Sequence, residues 1–173
     1  MRTNASFVRL NASDLEHLLM TMERALEVQT RAQFFLWAQG ALQGFIAHES
    51  LWCAHGDLER MQLRVECFSN CVTSERVENQ VTDRTDGLMP RLVDDWLRGG
   101  RIPRLLSSEG GDQVGRRQLI SDLKHCGFDH VAVHGVREMQ GNYGSFFVFA
   151  GMDHMPCERD AYLLELLMPH MHL

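Results

Sequence analysis

Apolar residues are most concentrated over residues 128–151, where they are β-branched or aromatic. Val131, Val133 and Val136 stand on one side of Gln140-Gly141-Asn142, and Phe146, Phe147, Val148 and Phe149 on the other. Such residues suit a pleated surface, and the polar break between them suits a turn. Neither run alternates cleanly with polar residues, so neither has a solvent face. A strand apolar on both sides has to be covered on both sides. The pattern predicts a hairpin inside a sheet that carries helices on each face.

Most other apolar positions recur at helical spacing. Leu15, Leu18, Leu19, Met22 and Leu26 form one stripe behind a Ser13/Glu16 capping box. A second helix over 30–45 turns Phe34, Ala38, Ala41, Leu42 and Phe45 to one side. Strands follow over 49–55 and 61–68, joined by a turn at Gly56-Asp57. In the second strand Met61, Leu63, Val65 and Cys67 alternate with Gln62, Arg64 and Glu66, the pattern of an edge strand with one wet face.

Residues 69–85 show no apolar period and read as a long loop. Asp86 then caps a helix with Met89, Leu92, Val93, Trp96 and Leu97 on one side, ended by Gly99-Gly100. A short strand over 102–106, a helix around Leu119, Ile120 and Leu123 closed by Gly127, the hairpin, and a last helix over 157–167 complete the order. This order predicts an α+β fold: an antiparallel sheet of about five strands sandwiched between helices, in one domain over 1–173.

Composition narrows the function classes. With 45% hydrophobic and 23% charged residues the chain is an ordinary globular one, and its net charge of −6 argues against phosphate-backbone binding as its main business. No window has the length of a signal sequence or membrane span, so the expected location is the cytoplasm. The five cysteines are irregularly spaced and without a CxxC pair, as in reduced thiols packed as small hydrophobes.

Motifs for chemistry are sparse. His48-Glu49 opens like HExxH, but Trp52 stands where the second histidine should be. His154, His170 and His172 lack a carboxylate or cysteine to complete a metal set, and no nucleophile elbow, P-loop or dinucleotide fingerprint occurs. Gly110-Gly111 precedes Asp112, whose charge would repel phosphate. These residues point to no catalytic residue, no metal and no cofactor. Were there acid–base chemistry, His134 and Cys53 are where a perturbed pKa would be sought. The expected ligand site is collective: Trp52, Trp96, His134, Tyr143 and Phe147, lining an apolar cleft with polar handles between the sheet and the helices over 86–98 and 115–126.

The order of elements is similar to that of GAF domains and LuxR-type autoinducer-binding domains. The phrases FFLWAQGALQGFIAHESLWCAHGD, DGLMPRLVDDWLRGG and YLLELLMPHMHL resemble the N-terminal domain of EpsA-type regulators, LuxR-family transcription regulators associated with bacterial exopolysaccharide loci. The resemblance implies reception of a small-molecule signal, homodimerisation, or both. It also implies that DNA is contacted only by a helix-turn-helix domain expected beyond residue 173, where the chain stops within an apolar segment. Acyl-homoserine lactone receptors hold their ligand with closely spaced Trp, Tyr and Asp residues. The acidic-aromatic group here, Asp94-Asp95-Trp96, falls on a predicted helix, which leaves the ligand open. The alternative reading is a ligand-free dimerisation module using the helices over 13–29 and 157–168, with Leu163 and Leu166 at the interface.

Overall fold

The structure, a computed structural model, describes residues 8–110, 113, 115–139 and 141–171. Of the sequence features above, Gly111, Asp112, Gln140 and His172 lie outside the described residues. In chain order the elements are α1 (Ala12–Ala25), α2 (Arg31–Gln39), β1 (Ser50–Asp57), β2 (Gln62–Ser69), α3 (Glu75–Thr82) and α4 (Leu88–Arg98). Then follow β3 (Arg104–Ser107), α5 (Arg117–His125), β4 (His130–Arg137), β5 (Tyr143–Ala150) and α6 (Glu158–Leu167).

The five strands form one antiparallel sheet in the order β2-β1-β5-β4-β3. The expected hairpin is β4–β5, with β5 at the centre, and its apolar residues go to both faces as their density required. Leu51, Cys53, Phe147 and Phe149 meet α1, α2 and α6, the last through Leu163, Leu164 and Leu167. On the opposite face Trp52, Phe146 and Val148 meet Val81 of α3, Leu92 and Trp96 of α4, and Leu123 of α5. The α+β sandwich predicted from the pattern is the observed fold.

Several boundaries differ from expectation for local reasons. The capping box of α1 is made by Asn11 and Asp14, not Ser13 and Glu16: Asn11 Oδ1 accepts the Asp14 N–H at 2.8 Å and the Asp14 carboxylate accepts the Asn11 N–H at 3.1 Å. The second helix stops at Gly40, a weak helix former, and resumes only as a 3-10 turn over Leu42–Gly44. Residues 69–85 are not a loop throughout. Ser74 Oγ accepts the Val77 N–H at 3.3 Å to start α3, which docks through buried Val81 and half-buried Val77. Two valines at i and i+4 are enough to seat a helix and too few to show a period.

Helix α4 begins at Gly87 rather than Asp86, because Asp83 organises the turn: its carboxylate accepts the N–H groups of Thr85 (2.8 Å) and Asp86 (2.9 Å). β1 runs on through Gly56-Asp57. Gly56 has φ +144°, and a Cβ there would lie 2.1 Å from the Gln62 carbonyl oxygen, so this crossing point of the β1–β2 hairpin requires glycine. The turn itself is the next stretch, where Asp57 Oδ1 accepts the N–H groups of Glu59 and Arg60.

Helix α6 is capped by Cys157, whose N–H donates at 2.8 Å to the carboxylate of buried Asp160; His154 Nε2 lies 3.0 Å from the same carboxylate. Arg159 joins Asp14 of α1 at 3.0 Å. Leu163 is fully buried in the chain's own core, so it does not present the interface surface anticipated for it. No helix among the described residues is long and apolar enough to cross a membrane.

Candidate functional site

Two of the five anticipated residues, Trp52 and Trp96, lie in the core layer on the α3–α5 side; His134, paired with Phe147, starts from the other face of the sheet and meets Trp96 past the end of β3. Trp52 projects from β1, 1% exposed, with its Nε1–H donated to Ser50 Oγ at 2.8 Å and its ring edge-on to Phe128. Trp96 projects from α4, packs on Phe146, and donates Nε1–H to His134 Nδ1 at 3.2 Å. Two backbone features allow this last contact. β3 ends opposite Val133, so His134 is the first residue of β4 without a partner on that side. Gly135 follows it, where a Cβ would stand 3.1 Å from Trp96 Cη2.

Indole is only a donor, so His134 Nδ1 must accept and the neutral ring must carry its proton on Nε2. Burial holds the His134 pKa down to about 4. The sign of the pH dependence follows. The unfolded chain takes up this proton near pH 6.5 and the folded chain only near 4, so the contribution is complete above pH 6.5 and is lost as pH falls from 6.5 towards 4. His48, depressed by burial against an Nδ1 contact with the Ile46 carbonyl, acts in the same direction. His154, raised by Asp153 and Asp160, acts oppositely: its contribution is complete below pH 6.5 and is lost as pH climbs through its raised value. Urea titrations at pH 7 and pH 4 are expected to show His134→Gln losing less stability than the wild type, by up to about 3 kcal/mol.

The other two anticipated residues are elsewhere. Trp52 is paired with Val148, so Val148 shares its face and Phe147 takes the opposite one, fully buried against the α1–α2–α6 layer. Tyr143 begins β5, is 53% exposed, and has its ring 6.3 Å from that of His55. The five residues therefore do not line a single cleft. Asp95, next to Trp96, is held by Arg116 at 2.7 Å with Arg104 at 3.7 Å. Nor does Cys53 have the character of a nucleophile, because burial pushes its thiol well above the ordinary value and keeps it protonated.

The face that receives Phe147 contains a cavity of about 290 Å³ that the pattern did not foretell. It lies between β1–β2 and the connection from α1 to α2, with Val28, Phe34, Cys53, His55, Arg64 and Glu66 among its lining. His55 Nδ1 is 3.2 Å from Ser145 Oγ. Glu66 receives Arg31 at 2.8 Å and Arg64 at 2.8 Å. Arg64 and Glu66 were expected on the wet face of an edge strand; the start of α2 partly roofs that face, leaving Glu66 only 19% exposed. Nothing in the alternation along β2 signals this roof, since it comes from a helix 30 residues earlier.

Layers, strand order and helix placement together decide the fold. It is that of LuxR-type and GAF domains. The N-acylhomoserine lactone dependent LuxR family transcription factor CepR2 of Burkholderia cenocepacia matches with a TM-score of 0.57 at 17% identity, over 91% of this chain and 87% of that one. SdiA of Escherichia coli matches with a TM-score of 0.57 at 13% identity, over 90% of this chain and 65% of that one. The GAF domain of a phosphoenolpyruvate-protein phosphotransferase of Coxiella burnetii gives 0.52 at 9% identity, over 86% of this chain and 84% of that one. No family model matches the sequence, and no curated protein matches it. At these identities the likeness is one of fold. Within the LuxR-type fold, the Trp52–Trp96 layer lies on one face of the sheet and the His55–Arg64 cavity on the other.

Proposed function

We propose that this chain is the signal-receiving domain of a LuxR-type bacterial transcription regulator of the EpsA type, serving exopolysaccharide biosynthesis in the cytoplasm. A helix-turn-helix domain beyond residue 173 would contact DNA, and α6 would pass the receiver's state to it. The observation that carries this reading is the fold match to CepR2 over 91% of the chain. The apolar seating of α6 on the sheet supports it, because a change in the sheet layers then moves the last helix.

The signal's seat in this reading is the layer that holds Trp52 and Trp96, bounded by the Trp96–His134 contact. Both indoles are buried and Trp96 is held by His134, so a ligand binds the conformer in which Trp96 has left His134, and favours that conformer by its differential affinity. The test is thermal unfolding with N-acylhomoserine lactones of graded chain length and other uncharged metabolites. A true signal at 100 times its dissociation constant adds about 2.7 kcal/mol, and His134→Gln should alter that gain. If no compound in the panel shifts the transition, the receiver reading fails.

A dimerisation module is the second reading, favoured by apolar side chains left in solvent on the outer faces of α1 and α2: Leu15, Leu19 (62% exposed), Leu26 (78%) and Leu36. Leu19→Glu should then convert a dimer to a folded monomer in sedimentation equilibrium. A wild type already monomeric at the same concentration rules the module out.

A further inference from the structure

We propose that the cavity between β1–β2 and the start of α2 is a second binding site, for a compact aromatic or branched organic carboxylate. Its location is independent of the receiver reading, since it lies across the sheet from the layer that holds Trp52 and Trp96.

Size comes first. At about 290 Å³ the cavity stands near the lower end of small-molecule sites and has room for about ten water-sized groups. A six-membered ring or a branched four-carbon body with a carboxylate fills it, and a long acyl chain does not. The inner lining is apolar: Phe34 is 3% exposed and Cys53 fully buried. Cys53 contributes a protonated, uncharged thiol, so an apolar body meets no charge there.

Charge fixes the class. Arg31 and Arg64 bring two positive charges and Glu66 one negative, so the rim is positive by one charge. Glu66 is occupied on both oxygens, Oε2 by Arg31 and Oε1 by Arg64, which leaves it no free edge for a ligand amine. The arginines are not used up. Among the described residues each spends one nitrogen on Glu66, while a guanidinium carries five N–H donors. Their side chains are 67% and 81% exposed, so they can turn to a newcomer without leaving a protein cavity behind them. Arg31 also lies over the Phe68 ring at 5.1 Å, which keeps its planar fork beside the mouth. A carboxylate is the group that fits paired guanidinium donors.

His55 supplies the polar group on the β1 side, with its ring tied through Nδ1 to Ser145. A bound acid would bridge the α1–α2 connection to strands β1 and β2. It would thus clamp the layer that also seats α6.

The test is calorimetric titration of this chain with benzoate, 3-methylbutanoate and the uncharged benzamide. Benzoate is expected to bind saturably, at least tenfold more tightly than benzamide, and less tightly in 1 M salt. The Arg31→Gln/Arg64→Gln variant, altered only at exposed side chains, should weaken benzoate at least tenfold. Val28→Trp, which fills the mouth, should abolish binding. Trp96→Phe, across the sheet, and Arg116→Gln, at the ion pair with Asp95, should leave it unchanged. Equal affinity for benzoate and benzamide, persistence in the double arginine or Val28→Trp variant, or absence of binding by either acid at millimolar concentration overturns the proposal. Lactone-induced stabilisation and carboxylate binding are separate readouts, so either can fail alone.

Discussion

Trp52→Ala is expected to remove about 3–5 kcal/mol of unfolding free energy, measured by urea denaturation. A domain of ordinary stability has about 5–15 kcal/mol in all, so the variant should stand close to unfolding at 37 °C. The indole is 1% exposed, edge-on to Phe128 at 5.2 Å, and inside a layer closed by α4 and α5. Removing it leaves a void that the surrounding side chains fill only in part, and deprives Ser50 Oγ of its donor. Trp52→Phe should recover most of the loss. A Trp52→Ala penalty below about 1 kcal/mol would mean that the layer is loosely filled, the condition in which a signal molecule could enter with little rearrangement. The measurement therefore bears on the receiver mechanism as well as on stability.

Leu163→Glu should abolish folding and not merely association. Leu163 is completely buried beside Leu164 and Leu167 in the layer between α6 and the sheet. A carboxylate placed there has no partner; it must protonate or open the layer, a change in the class that costs more than about 4 kcal/mol. Circular dichroism of the purified variant should show loss of helix, or the protein should fail to accumulate. Native helical content with unchanged cooperativity would contradict the seating of α6. The pair Leu163→Glu and Leu19→Glu separates core from surface: the first disrupts the fold, while the second, at an exposed leucine of α1, leaves it intact.

Where apolar residues are dense, the pattern foretold the structure. The run around Phe146–Phe149 could only be an interior strand, and the stripe from Met89 to Trp96 could only be a docked helix. Where docking depends on few residues, it did not. Helix α3 rests on Val77 and Val81, and the end of α2 rests on Gly40. The candidate site was less legible because it depends on register. Composition suggests that Trp52, Trp96 and Phe147 are interior, but which face each occupies follows from the pairing of Trp52 with Val148, a long-range fact. Tyr143 at the start of its strand looked interior by type and is half exposed by position. The cavity beside His55 was hidden for a related reason, since its wall comes from β1 and β2 and its roof from the approach to α2.

The pairing of Ser50 with Ala150 has a consequence for how the domain is made. β1 and β2 leave the ribosome early, yet the strand that completes the sheet's centre is the last one synthesised. Until β5 emerges, β1 has an open edge and the apolar faces of two helices have nothing to close on. A nascent chain halted near residue 140 should therefore be sensitive to protease and bound by chaperones, and one extended past α6 should be resistant. Domains built on such distant pairings fold slowly, so synthesis of this one ends with its decisive step still to come.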